Sequence, residues 1–162
     1  MQAASYREKV LGSVEEAAAV AERLRRAGKT IVFTNGCFDL IHVGHVRSLE
    51  DAKALGDYLF VGINSDRAVR QLKGEGQPLT QEKERAEVLS ALSAVDFVVI
   101  FDDETADSTI LEIKPHIHAK GTDYTKETVP ERETVLSYGG KIAIVGDPKR
   151  HATREIIKKL KK

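Results

Sequence analysis

The amino-acid sequence predicts an α/β fold, a parallel, doubly wound sheet in a single domain. Two observations carry this. Short apolar, β-branched runs alternate with stretches of helical periodicity along the chain, the pattern of strands joined by right-handed crossover helices. Polar and glycine motifs then follow strands: residues 35–45 after the first, 64–66 after the second and 120–124 after a later one. In open α/β sheets ligands bind beyond the carboxyl ends of the strands, where the strand order reverses, so these motifs are expected to meet at one edge.

The elements follow in order. Ser13 and Glu16 form a capping-box signal, and alanines and a leucine carry a helix over residues 13–27 to Gly28. This helix is expected to pack on the sheet or on a second subunit. Residues 1–28 read as an N-terminal helical extension and 29–162 as the main domain. Ile31, Val32 and Phe33 read as a buried strand that breaks at the turn signal Asn35-Gly36, and a helix starts near His42. Residues 57–63 form a second buried strand, and a new segment opens at Asn64-Ser65-Asp66 and runs through Val69 and Leu72. Residues 73–78, with two glycines and a proline around a lysine, read as a loop able to close over a ligand. Helical periodicity resumes over residues 80–92, with Glu82 through Arg85 toward solvent and Val88, Leu89 and Leu92 toward the core. Residues 97–101 are a third strand, and a helix over 105–113 stops ahead of Pro115. A short strand at 117–119 precedes a polar, irregular stretch at 122–133; 141–145 is the last strand and 153–160 a basic helix.

A length of 162 residues suits one domain able to bury a core. Lys and Arg number 25 and Asp and Glu 25, so no global field recruits nucleic acid or a membrane surface, and an anion site has to be built locally. The single cysteine, Cys37, suits a reducing compartment, and no apolar run reads as a signal peptide or a membrane span. These features predict a soluble cytoplasmic protein.

Chemistry concentrates at residues 35–45. His42 and His45, separated by Val43-Gly44, lie on one face of a first helical turn, where unpaired amides and the positive end of the helix dipole favour an anion. Gly44, lacking a Cβ, would let backbone approach a phosphate or base. The string from Asn35 to His45 resembles the His-x-Gly-His signature of the nucleotidyltransferase superfamily, which includes cytidylyltransferases and adenylyltransferases. Asn64-Ser65-Asp66, Lys73-Gly74, Arg85 and Lys120-Gly121-Thr122-Asp123-Tyr124 follow in order, and the whole set is similar to the heptose-phosphate adenylyltransferase family.

The resemblance implies a Rossmann-like fold of the His-x-Gly-His type and transfer of AMP from ATP to D-glycero-β-D-manno-heptose 1-phosphate, giving ADP-heptose and pyrophosphate. It also implies Mg²⁺, carried mainly by the nucleotide phosphates. His42 and His45 would donate to the triphosphate and to transition-state charge. Lys73 and Arg85 would grip phosphate groups. Asn35, Gly36, Cys37, Phe38, Gly44, Lys120, Gly121 and Asp123 would bind nucleotide, with Lys53, Thr153 and Arg154 assisting. Asp39, Asn64 and Asp66 would contact the sugar phosphate, Asp39 alternatively fixing the turn. The sequence departs from the family at His151-Ala152-Thr153-Arg154, where a Ser/Thr-Thr run is usual, so Arg154 is a candidate to compensate for the hydroxyl absent at Ala152.

No general base is required by this chemistry, because a phosphate monoester with a second pKa of about 6 is already a nucleophilic anion. Blander readings stand beside these. His42, His45, Asp39 and Cys37 could be zinc ligands; Cys37 could be a small packed residue; Lys53 could be a solvated surface lysine; His116 and His118 flank a buried strand as structural residues. The other functional readings are a cytidylyltransferase acting on glycerol 3-phosphate or a similar polyol phosphate, and a nucleotide-binding regulatory protein with a decayed site. The alanine-rich helix at 13–27 adds the expectation of a homodimer.

Overall fold

In the computed structural model, which describes residues 5–148 and 153–161, residues 153–155 by backbone alone, five strands form one parallel sheet. The strands are β1 (Ile31–Gly36), β2 (Tyr58–Asn64), β3 (Phe97–Phe101), β4 (Ile117–Gly121) and β5 (Lys141–Val145). They are joined by the helices α1 (Val14–Arg26), α2 (Val43–Lys53), α3 (Asp66–Lys73), α4 (Glu82–Ser90), α5 (Asp107–Ile113), α6 (Arg132–Ser137) and α7 (Thr153–Leu160). The sheet order is β3-β2-β1-β4-β5, so the winding reverses between β1 and β4. That reversal is where an open parallel sheet leaves a crevice for a ligand.

The pleat sorts the core into two layers. Ile31 and Phe33 point to one face, where they pack with Ala17, Val20 and Ala21 of α1 and Ile110 and Ile113 of α5. Val32 points to the other, with Leu49 and Ala52 of α2 and Ala86 and Leu89 of α4. Burial on both faces explains why the central strands read as unbroken apolar runs.

α1 begins as its sequence predicts, with Ser13 Oγ accepting from Glu16 N, although Glu16 reaches back to the Gly12 amide at 2.7 Å rather than to Ser13. Its inward face is used by the sheet and by α5. The feature that suggested a homodimer is therefore accounted for within the chain. Ahead of α1, a single turn of 3₁₀ helix (Tyr6–Lys9) leads Val10 into a parallel bridge with Val98, and Leu11 N donates to Val98 O at 2.8 Å. This short edge pairing has no alternation to announce it.

Two other features depart from the sequence reading. The helix α6 begins at Arg132, at the end of the stretch expected to be irregular; it has no side-chain cap and buries Val135 alone, so it lacks the usual sequence signals. In α4 the helix is rotated from the expected setting: Arg85, Ala86 and Leu89 face inward and Val88 is exposed. Arg85 finds enough acceptors inside to make its burial favourable, which hydrophobic periodicity does not register. Among the described residues no helix is long and apolar enough to cross a membrane.

Candidate active site

The carboxyl ends of β1, β4 and β5 and the start of α2 surround a cleft of about 860 Å³ at the switch point. After β1 the chain makes a tight excursion. Phe38 adopts a left-handed backbone (φ 49°), a conformation that for a residue with a side chain is worth about 1–3 kcal/mol of strain. Its ring folds back over Gly36, where a Cβ would stand 3.0 Å from Phe38 Cε2, and its centroid lies 5.2 Å from that of His45. Gly36 is thus the residue that lets the loop close on itself.

His42 is the N-cap of α2. Its Nδ1 accepts from Gly44 N at 3.2 Å, while His45 Nδ1 accepts from His42 N at 3.2 Å, a capping box built of two imidazoles with ring centroids 3.9 Å apart. An imidazole whose Nδ1 accepts carries its proton on Nε2 in the neutral form. Both rings line the cleft. The amides of Gly44 and His45 already have partners, His42 Nδ1 and His42 O, so bare helix-end amides are less of the anion site than the sequence implied.

Lys73, at the end of α3, and Lys120, at the end of β4, bring two ammonium groups to the same cleft, together with Asn35, Cys37, Gly121, Asp123 and Tyr124. Lys120 Nζ lies 3.5 Å from Asn35 Oδ1 and 5.0 Å from the centroid of the Tyr124 ring. Burial lowers the Lys120 pKa, and the nearby Glu131 carboxylate opposes that shift. Burial pushes the Cys37 thiol up, with the charges of Lys73 and Arg85 pulling the other way, so Cys37 is a neutral packed thiol rather than a nucleophile.

Five residues expected at the ligand stand elsewhere. Arg85 is 1 % exposed and donates to the carbonyls of Thr80, Cys37 and Asn64 and to Asp66 Oδ1, at 2.7–2.9 Å. It ties the loop after β1, the end of β2 and the end of the 74–80 loop into one unit, and its charge is balanced by Asp66 rather than turned to the cleft. Asp66 holds that ion pair, and the Asn64 side chain donates to Asp103 O at 3.0 Å. Neither lines the cleft. Asp39 accepts from the amides of Leu79 and Thr80, both at 2.8 Å, so of its two expected roles it fills the structural one, anchoring the downstream end of the loop. Lys53 sits at the opposite edge of the sheet, in the last turn of α2. There it donates to Asp57 O and to Asp96 Oδ2, both at 2.6 Å and both just ahead of strands. Its place at the amino ends of the strands removes it from a site built at their carboxyl ends.

Beside Thr122 of the Lys120–Tyr124 motif, the cleft holds Arg47, Ser48, Gly146 and Asp147, which the sequence did not mark as site residues. Arg47 pairs with Asp147 at 2.7 Å, Thr122 Oγ1 donates to Asp147 O at 2.8 Å, and Gly146, with φ 91°, passes against Ser48. Arg47 stands two residues beyond His45, outside any motif, and only the approach of β5 to α2 gives it a place. α7 runs over Thr153–Leu160, but the side chains of Thr153 and Arg154, and Ala152 altogether, lie outside the described residues.

Among the described residues no group of three or more His, Cys, Asp or Glu side chains could hold a metal ion. Asp39 is committed to backbone amides and does not line the cleft with the two histidines. The cleft wall includes the carboxylates of Asp123 and Asp147, the latter already paired with Arg47, a lining that suits Mg²⁺ carried mainly by substrate phosphates rather than by a dedicated cage.

Comparison with known proteins agrees with this geometry. The sequence model of the cytidylyltransferase-like family matches residues 33–159. The bifunctional protein HldE of Pelobacter propionicus is 51% identical over 143 residues, covering 88% of this chain and 29% of that protein. HldE of Syntrophotalea carbinolica is 50% identical over 141 residues, again 29% of its length, so the chain spans less than a third of these relatives. The crystal structure of the lipopolysaccharide core biosynthesis protein from Thermoplasma volcanium superposes with a TM-score of 0.65 at 28% identity, covering 75% of this chain and all of that one. A parallel five-stranded sheet, a cationic cleft at its switch point, an imidazole pair capping the helix after β1, and a sequence match across these elements converge: the chain belongs to the cytidylyltransferase-like family.

Proposed function

We propose that the chain is a nucleotidyltransferase that transfers AMP from ATP to D-glycero-β-D-manno-heptose 1-phosphate, forming ADP-heptose and pyrophosphate for lipopolysaccharide-type heptose biosynthesis. The observation that carries this reading is the imidazole pair: His42 and His45, each with Nδ1 accepting from a backbone amide at the start of α2, line the same cleft as Lys73 and Lys120. The likeness to HldE over most of this chain supports the choice of reaction, and the Lys120-Gly121-Thr122-Asp123-Tyr124 run supports the choice of substrates.

In this reaction an oxygen of the sugar phosphate attacks the α-phosphorus of ATP. The new O–Pα bond forms as the bond from Pα to the bridging oxygen of the β-phosphate breaks, and the electron pair leaves with pyrophosphate. No proton has to be removed from the nucleophile. The work of the protein is positioning two anions in line and stabilising charge that grows on the transferred group and the leaving group. His42 and His45 donate to that charge, Lys73 and Lys120 attract the two anions, and Asn35 with the loop at residues 36–38 positions the nucleotide. Mg²⁺, when bound on the phosphate oxygens, supplies further charge neutralisation. The loop at residues 74–80, hinged at Gly74 (φ 89°) and anchored by Asp39, is the segment suited to exclude water.

The test is pyrophosphate release measured with ATP and with CTP separately, over a panel of sugar and polyol phosphates. Turnover with ATP and heptose 1-phosphate is the expected result. Turnover with CTP and glycerol 3-phosphate, or tight nucleotide binding with no turnover on any acceptor, would overturn it.

A further inference from the structure

Behind the cleft, three titratable side chains are packed together, two of them out of reach of solvent. Glu131, immediately ahead of α6, is 2 % exposed and His118, in the middle of β4, is fully buried. Glu131 Oε1 lies 3.5 Å from His118 Nε2 and 3.9 Å from Lys120 Nζ. Lys120 is itself largely buried, and its ammonium is the member of the trio that reaches the cleft wall, beside Asn35. The ring of His118 stacks on Phe33 with centroids 5.8 Å apart, and neither ring nitrogen has a hydrogen-bond partner at ordinary distance.

We infer that Glu131 is a positioning residue for the cleft: its buried carboxylate holds the Lys120 ammonium charged and at the wall, ready for a phosphate. The inference rests on the phosphate-binding reading given above. An ammonium taken out of water loses its proton unless an anion is near. The groups around Lys120 are Glu131 from the start of α6, His118 from its own strand, Cys37 from the loop after β1, and Asp123 and Tyr124 from the loop after β4. Of the anionic influences on Lys120, that of Glu131 is the largest. His118, kept neutral by its burial, adds no opposing charge. The geometry suits positioning better than a closed ion pair. At 3.9 Å the carboxylate balances the ammonium from behind without locking it in a short contact, so an arriving phosphate oxygen can take the near side. Glu131 is itself fixed by its own backbone, whose carbonyl accepts from Val135 N at 3.0 Å.

Glu131→Gln keeps the shape and removes the charge. In nucleotide-free protein, the Lys120 ammonium followed by NMR should titrate lower in Glu131→Gln than in the wild type, by about one pH unit. With Mg²⁺-ATP as the probe, the weakening of binding with rising pH should set in at lower pH in Glu131→Gln than in the wild type, by that same shift. Glu131→Asp should restore the wild-type profile, and adding Glu131→Gln to Lys120→Gln should introduce no new pH dependence. A merely structural glutamate would alter stability and leave the Lys120 midpoint in place. An unchanged midpoint, or the same pH dependence in the Lys120→Gln background, overturns the inference. Should Glu131→Gln fail to fold, the coupling is read from the other side: the Glu131 carboxyl in Lys120→Gln must titrate higher than in the wild type, and an unchanged value overturns the inference equally. Because the titrations need no nucleotide, a protein that shows them but turns over no triphosphate refutes the proposed reaction alone. An active enzyme whose Lys120 ignores Glu131 refutes the positioning role alone.

Discussion

At the start of α2, His42 and His45 satisfy the helix end with one ring nitrogen each and keep both rings at the cleft. A short distance along the same sheet edge, Arg85 turns all four of its hydrogen bonds inward, to three carbonyls and the Asp66 carboxylate. Both regions meet the carboxyl ends of strands, the histidines at the helix after β1 and Arg85 through the carbonyls of Cys37 and Asn64, and both are residues that the sequence motifs marked. The difference lies in what each group has for partners. An imidazole can cap a helix through one nitrogen and still present the other; a guanidinium with four matched acceptors in a closed space has little left to offer. A charged motif residue can therefore hold a site together without touching its ligand. Asp39 belongs with Arg85 in this respect, and Lys73 and Lys120 with the histidines.

The largest effect expected from this contrast is on stability. Arg85→Ala leaves Asp66 without its partner and three carbonyls unsatisfied, and removing one member of a buried pair destabilises by about 3–5 kcal/mol. Urea unfolding should show it, and Arg85→Lys, with donors at a single point, should recover only part. If Arg85→Ala is as stable as the wild type and has lost nucleotide affinity, the division drawn between the two regions is wrong.

His45→Ala should do the reverse. Its kcat is expected to fall about 10²–10³-fold with little change in KM for ATP, the effect of removing a donor aimed at transition-state charge. Stability should drop by only about 1 kcal/mol, the ordinary contribution of a cap. A KM effect without a kcat effect would move His45 from the transition state to ground-state binding.

Asp39→Ala probes the anchor of the loop. Loss of two charge-assisted hydrogen bonds, to Leu79 and Thr80, should destabilise by about 2 kcal/mol and speed proteolysis within residues 74–80, with ATP slowing cleavage. Cleavage at the same rate with and without ATP would show that the loop does not close over the nucleotide. Lys53→Met should have the smallest effect: no more than about 1 kcal/mol of stability, since its pair with Asp96 is partly exposed, and unchanged ATP kinetics. A changed KM for ATP would return Lys53 to the site.

The sequence by itself determined the alternation of strands and helices, the parallel sheet, and the meeting of the post-strand motifs at one edge. Those follow from local periodicity, turn chemistry and the handedness of crossover connections, all of which are written along the chain. It also marked His42, His45, Lys73 and Lys120, which do meet at the cleft. Several features were decided only by the tertiary structure. The rotation of α4 that buries Arg85, the removal of Lys53 to the far edge, the commitment of Asp39 to backbone amides, and the entry of Arg47 and Glu131 into the surroundings of the site all depend on partners distant in sequence. Arg85 finds Cys37 and Asn64, Lys53 finds Asp96, and Glu131 finds His118 and Lys120. The physical reason is that a charged side chain goes wherever its charge and donors are best satisfied, and those partners exist as neighbours only once the sheet has assembled.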